Sequence, residues 1–361
     1  MAISTLDKRS KISLCPSMLR WALAATFLSL KAWAEPVPPG TPDGACWGHN
    51  QLSIEIKNGA FTSNEKGALY ETTYQTIPSN YDGWCYSESG SQNASYFKAE
   101  LSQTLSRVDN EFFRLTEDID MKIFVTGNSA PESFIPFKDA FNAGATAGPS
   151  GNGVTPLRWA NAGNQGKVTF RLRRKALGGA VYLPPSELFS FFRYSRPGQW
   201  SPQPLYTLSL KAPTILSVPA TCELNDNGNN FWTLKLKQPI DSSKVQDIGV
   251  YNFAYGYNAG GKLTLRCDSG QLDPAKLSLG LIGSPGAQSN ALATSNPGID
   301  LVFFARTGSG SYVELTPFQQ TPLNGLATAG QIEIQVTVQK TSKPMLTGLH
   351  SGFGVLTLTE Y

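Results

Sequence analysis

Apolar and polar residues alternate with a period of two in short runs along most of this chain. Ser53-Ile54-Glu55-Ile56 alternates, as does Met121-Lys122-Ile123-Phe124-Val125. The run 167–173 (KVTFRLR) places Val168, Phe170 and Leu172 on one face. Successive side chains of a strand point to opposite faces, so each run predicts a strand with one buried side. Residues 188–193 (LFSFFR) and 205–210 (LYTLSL) are further candidates. Past residue 211 the pattern restarts at 232–237, 263–267, 332–338 and 354–361. Only 102–110 and 139–143 have any helical character. The stretch 143–165, rich in Gly, Ala and Asn, predicts a long surface loop. Many short strands between turn signals predict an all-β protein built of β-sandwiches. Lys211-Ala212-Pro213 interrupts the pattern, because proline cannot donate to a central ladder, and divides the chain into two domains.

Composition adds export to this picture. The chain has 361 residues, enough for two domains of ordinary size, with 34 Gly, 24 Pro and only 16% charged residues. Residues 1–34 read as a secretory signal: a basic start (Lys8, Arg9, Lys11, Arg20), an apolar run from Trp21 to Leu30, and Ala32-Trp33-Ala34 as the cleavage site. The apolar run is too short to span a bilayer. Without this segment the charge is about −1 rather than +3, so there is no basic footprint for nucleic acid. Cys15 leaves with the signal. Cys46, Cys85, Cys222 and Cys267 remain, an even number in an exported chain, which implies disulfides. Three connectivities are possible; the sequential one, which puts one staple in each half, is the expectation. No CxxC pair is present and His49 and His350 are the only histidines, so neither a metal nor any other cofactor is expected. HExxH, GxSxG and Walker patterns are absent. Glu117 and Asp118, read as adjacent strand residues, would face opposite ways and not act as a glycosidase pair. The chain is not expected to be an enzyme.

Four stretches resemble the two-domain tip adhesins of chaperone–usher pili, the family of the type 1 fimbrial mannose lectin. At the C-terminus, Gly348 is fourteenth from the end and Leu356 and Leu358 alternate; Tyr361 is terminal where the family usually has a penultimate tyrosine. Residues 218–224 (VPATCEL) are similar to the first strand of a pilin domain, and 263–267 (LTLRC) to the strand carrying the partner cysteine. The block 167–211 follows the last strands of the lectin domain, and the Cys46/Cys85 spacing is similar to that domain's disulfide.

The resemblance implies two immunoglobulin-like β-sandwiches: a receptor-binding, lectin-like domain at 35–210 and, at 211–361, a pilin domain lacking its last strand. Such a domain is completed by a strand from another chain, with backbone bonds giving affinity and alternate side chains giving specificity. The implied partners are a periplasmic pilus chaperone bound through Gly348, Leu356, Leu358 and Tyr361, an outer-membrane usher, an adjacent pilin that donates its strand, and a host glycan or glycoprotein. Residues 35–45, with four prolines, would make a poor donor strand, which fits a subunit at the fibre's tip on the bacterial surface. The family's pocket loops correspond to 86–93 and 194–202. The receptor-binding candidates in these loops are Tyr86, Glu88, Asn93, Tyr194, Arg196, Gln199 and Trp200, and Asp82 and Trp84 beside Cys85 add polar and aromatic groups suited to a sugar platform. The polar residues that hold mannose are not reproduced, so mannose is not the expected ligand. A tip adhesin for matrix protein and a receptor-less structural tip subunit are the alternatives. The basic run 171–175 (RLRRK) is expected to be a solvated strand face rather than a site for an acidic ligand.

Overall fold

The computed structural model describes residues 35–57, 59–88, 95–126, 132–141, 152–224, 234–245, 251, 256–267, 277–307, 310–323 and 330–360. The signal segment 1–34, Asn93 and Tyr361 lie outside these residues, as do 143–151 of the expected loop. Strand is the regular structure of the chain, and no helix occurs among the described residues.

The N-terminal half contains three main sheets. One runs in the order Phe137–Phe141, Tyr96–Leu101, Ser186–Tyr194, Tyr206–Leu210, Asn50–Ile54, with the last pair parallel. A second joins Leu69–Gln75, Gln165–Leu172, Ile119–Thr126, Phe113–Arg114 and Ser106–Arg107. The third has Tyr81–Ser87 at its centre, between Cys46–Trp47 and Gly153–Ala160. The alternating runs supply the core as their periodicity requires. Val168, Phe170, Met121, Ile123 and Val125 are fully buried and Leu172 nearly so, each contributing roughly 1.5–3 kcal/mol.

The C-terminal half has its own core around Leu263, Leu279, Leu281, Ile332, Ile334 and Leu358. One sheet orders Cys222–Leu224, Asn258–Cys267, Gln331–Lys340, Ile299–Thr307 and Leu292–Ala293. The other orders Gln320–Pro322, Leu277–Gly283 and Gly354–Glu360. The segment Thr214–Ser217 pairs back onto Ala180–Leu183, and Leu216 and Val218 belong to the N-terminal core. Both expected disulfides are formed, Cys46–Cys85 and Cys222–Cys267, each linking directly paired strand residues.

Four local expectations are corrected. Within 102–110, Ser106–Arg107 is a strand, and the Asp109 carboxylate accepts from the Glu111 and Phe112 amides; this local turn competes with a helix. Asp139 lies in the Phe137–Phe141 strand at φ 53°, a conformation no right-handed helix contains. The second half of the 143–165 loop is the strand Gly153–Ala160, whose turn-like composition hides a ladder made by backbone alone. Among the described residues of 232–237, Leu234 and Leu236 alternate into the core as expected but join no strand; Pro239 follows, and Lys237 makes a single backbone bond to Asn258.

Candidate functional site

The strand Tyr81–Ser87 sorts its residues by face. Tyr81, Gly83, Cys85 and Ser87 are buried, whereas Asp82, Trp84 and Tyr86 point outward. Period two thus brings three of the expected receptor residues into one row. Gly83 is required here, because a Cβ would come within 2.7 Å of the Trp47 carbonyl oxygen. In the middle of the row, Trp84 is half-buried and meets the His49 ring edge-on, 6.0 Å between centroids. His49 Nδ1 lies 2.8 Å from Gln203 Nε2. Towards one end, the Tyr86 hydroxyl donates to Glu88 Oε1 (3.1 Å), and this carboxylate raises the phenol's pKa.

Asp43, which the sequence reading passed over, ties the two expected loops together. Its carboxylate accepts from the Glu88 amide (2.8 Å) and pairs with Arg196 (3.0 Å). The signal available was the Asp43-Gly44 turn just ahead of Cys46. Asp139 does similar work deeper in the loop, accepting from the Tyr194 hydroxyl (2.7 Å) and the Gly198 amide (2.8 Å). Desolvation would raise the Asp139 carboxyl, but the Tyr194 and Gly198 bonds, with Lys138 and Lys98 nearby, hold it below the usual range.

The expected residues of the second loop separate into two groups. Arg196 and Gln199 are exposed at its tip. Tyr194 is only 1% exposed and packs on Tyr96 and Trp200. Trp200 is half-buried, and the ammonium of Lys98 lies 3.6 Å over its ring. Lys98 also caps Phe192 at 4.5 Å and pairs with Glu100 at 2.5 Å. A desolvated cation over a tryptophan face is a strong pairing, so the ring supports the loop from below. Asn93 is outside the described residues.

One exposed aromatic was missed. The register between Gly153–Ala160 and Tyr81–Ser87 shifts between Leu157 and Ala160, opposite Asp82. In this irregularity Trp159 adopts φ 55° and stands 78% exposed, the most exposed large aromatic among the described residues. Asp82 holds the feature, accepting from the Trp159 amide (3.0 Å) and Arg158 (2.8 Å). These two bonds, the Trp159 amide first, lower the Asp82 pKa. A tryptophan displayed on a bulge and capped by a carboxylate is a displayed side chain, not a packing residue.

The basic run is occupied within the chain. Arg171 pairs with Asp120 (2.7 Å) and Asp109 (2.8 Å), Arg173 with Asp120 (3.1 Å), Arg174 with Glu117 (3.1 Å), and Lys175 with Glu65 (2.7 Å). Glu117 and Asp118 are not strand residues; they sit in the turn before Ile119–Thr126 and share Arg174, so they do converge. Asp109 carries a pH consequence. The Phe112 and Glu111 amides, then Arg171, hold its pKa at about 2. A depressed carboxylate stabilises the fold above its unfolded pKa and ceases to do so as pH falls through the folded value. Stability should therefore decline between about pH 4 and pH 2, and Asp109→Asn should flatten that part of a urea-midpoint profile. An unchanged profile would remove Asp109 from the account.

In the C-terminal half, Gly354–Glu360 pairs along one edge with Leu277–Gly283. Its other edge is met at the far end, where Leu177 and Gly178 donate to the Leu358 carbonyl and Glu360 donates to Lys175. Leu358 is fully buried and Leu356 half-buried. Gly348 takes φ 120°, and Leu346, Leu349 and Phe353 around it are 53, 101 and 64% exposed. Among the described residues no group of three His, Cys, Asp or Glu side chains is placed to hold a metal.

No protein-family model matches the chain. It is 24% identical over 261 residues to the "Putative minor fimbrial subunit PmfE" of Proteus mirabilis, covering 69% of this chain and 70% of that one. The chain resembles a fimbrial subunit. Solved structures of fimbrial adhesins are also similar, loosely. The receptor-binding domain of the adhesin MrkD1P of Klebsiella pneumoniae is matched at 15% identity and TM-score 0.28, over 48% of this chain and 94% of that one. The CupB6 tip adhesin of Pseudomonas aeruginosa is matched at 13% identity and TM-score 0.23, over 88% and 96%. Superpositions this loose add no argument about the site. The resemblance to fimbrial subunits rests on the sequence relative, and the all-β fold and paired disulfides accord with it.

Proposed function

We propose that this chain is a fimbrial tip adhesin, with residues 35–210 binding a host glycan and 211–361 joining it to the fibre. The observation that carries the receptor reading is the outward row Asp82, Trp84 and Tyr86, extended by Glu88 and the displayed Trp159. Sugars are held by planar polar groups that meet hydroxyls and by aromatic rings that stack on their apolar faces. This surface has both, on loops and a bulge fixed by disulfide, Asp43 and Asp82. Arg196 and Gln199 border it across Asp43.

The fibre reading rests on the edge of Gly354–Glu360 and the apolar side chains exposed ahead of it. An edge strand with free backbone groups is a template for another strand. A periplasmic chaperone would occupy it first along 354–357, with Leu356 as anchor, and the outer-membrane usher would pass the subunit on; Leu358, expected as a second anchor, is buried in the chain's own core with its carbonyl already bonded. A neighbouring pilin's donor strand would occupy it in the fibre. The isolated chain should accordingly be poorly stable and should co-purify with a chaperone.

The deciding experiment is a glycan array probed with the full exported chain and with Trp159→Ala and Trp84→Ala. Loss of Trp159 should weaken binding by at least about tenfold, the worth of one well-used aromatic contact, with no change in thermal stability. Silence on the array, with binding to collagen or fibrinogen instead, would replace the glycan by a matrix protein. Silence on both would leave a structural tip subunit.

A further inference from the structure

Each of the two sheets of the C-terminal half ends on a strand with one side unpaired within its sheet: Cys222–Leu224 in the longer and Gly354–Glu360 in the shorter. Residues 175–178 (KALG) of the N-terminal half run between these two edges. The Leu177 and Gly178 amides donate to the Leu358 carbonyl (2.9 and 3.1 Å), and the Glu360 amide donates to the Lys175 carbonyl (3.1 Å). On the opposite side, the Thr221 and Cys222 amides donate to the Leu177 carbonyl (3.2 and 3.0 Å). Ala176 thereby pairs antiparallel with Thr359. Side chains alternate as in a strand. Ala176 is buried in the core of the N-terminal half, and Leu177 in the core of the C-terminal half, the cluster that holds Cys222 and Leu358. Gly178 permits the close approach, since a Cβ there would come 2.8 Å from the Leu358 amide nitrogen. The segment is also held from behind. The Ala176 amide donates to the Asn64 carbonyl (2.9 Å), and Lys175 pairs with Glu65 (2.7 Å).

What remains of the seam between the two edges is short. Backbone groups facing one edge of a strand recur at every second residue, so Gly354 and Leu356 face the edge that Leu358 and Glu360 use. Among the described residues, nothing bonds to this edge ahead of Leu358. Leu356, half-buried, and Phe353, 64% exposed, lie along the open stretch. Leu177 closes its far end.

We propose that 175–178 is an internal closing segment: it plugs one end of the seam from within the chain, stays seated there, and leaves another chain's strand only 354–357 to pair with. The occupant is an extended strand of about four paired residues, roughly 13 Å long, whose apolar side chains meet Leu356 and Phe353 and whose end abuts Leu177. The length of that strand rests on the fibre reading; the seating of 175–178 does not.

A cross-link tests both. The bonds on either side of Ala176 and Thr359 make them a non-hydrogen-bonded pair, the closer of the two antiparallel pairings and the one suited to a disulfide. Ala176→Cys with Thr359→Cys should therefore cross-link in most of the full exported chain, read by mass spectrometry on periplasmic extract after thiol capping. The cross-linked chain, expressed with the chaperone and pilins of its own bacterium, should enter chaperone complexes and fibres as the single-cysteine variants do. Absence of the cross-link overturns the seating. A cross-linked chain whose assembly falls at least tenfold below the single variants also overturns the proposal, because the partner then needs the place that 175–178 holds. Failure of the wild-type chain to assemble refutes the fibre reading and the partner's strand with it, while the cross-link by itself still decides the seating. Leu177→Ala gives a second measurement should the paired cysteines impair folding. It should speed amide hydrogen exchange across 354–360 at least tenfold, and unchanged exchange there overturns the closing role.

Discussion

Replacing Leu358 by Asp should prevent the C-terminal half from accumulating folded. Leu358 is fully buried in the second half of Gly354–Glu360, paired with Leu279 and bonded through its carbonyl to Leu177 and Gly178. Truncation alone, Leu358→Ala, should cost about 2–5 kcal/mol in the urea-unfolding free energy. The carboxylate adds the cost of an unpaired buried charge, several kcal/mol more. Together these approach the whole stability of an ordinary domain, about 5–15 kcal/mol. Leu349 makes the control. It is fully exposed, so Leu349→Asp should move the isolated chain by no more than about 0.5 kcal/mol. If Leu358→Asp unfolds at the wild-type urea midpoint, this strand is not part of the core as described.

Removing either disulfide should be nearly as costly. The bridges close chain segments of 39 and 45 residues, and the loss of unfolded-state restriction corresponds to about 4 kcal/mol for each. The functional consequences should differ. Cys46→Ala with Cys85→Ala frees the strand that displays Asp82, Trp84 and Tyr86, so glycan binding should fall together with stability. Cys222→Ala with Cys267→Ala acts on the other core and should spare binding at temperatures where the chain remains folded. Equal loss of binding in both double variants would mean that the two halves do not hold their sites independently. Denaturant midpoints measured beside the array signal separate these outcomes.

The receptor candidates show where sequence reading reaches and where it stops. Asp82, Trp84 and Tyr86 were legible as candidates by residue type and by their place around Cys85; that they share one face follows only from the strand that residues 81–87 form, whose period is two. Trp200 and Tyr194 looked equally promising, since both stand in or beside a proline- and glycine-rich loop. What distinguishes them is Lys98, about a hundred residues earlier in the chain, whose ammonium covers the Trp200 ring. Trp159 went the other way. Its glycine- and asparagine-rich surroundings read as loop, yet pairing with Tyr81–Ser87 makes a strand, and the Asp82 carboxylate fixes the bulge.

By itself, the sequence determined that the chain is all-β, that its strands bury Val168, Phe170, Ile332 and Ile334, and that four cysteines remain to form two bridges, the sequential pairing being the expectation that the structure bears out. These properties depend on local periodicity and on neighbours along the chain. The tertiary structure alone decided which aromatic rings are displayed and that Asp43 and Asp139 fasten the loops. Each of those outcomes depends on contacts between residues far apart in sequence. Such contacts are set by how sheets pack against one another, and no local pattern of residues encodes that packing.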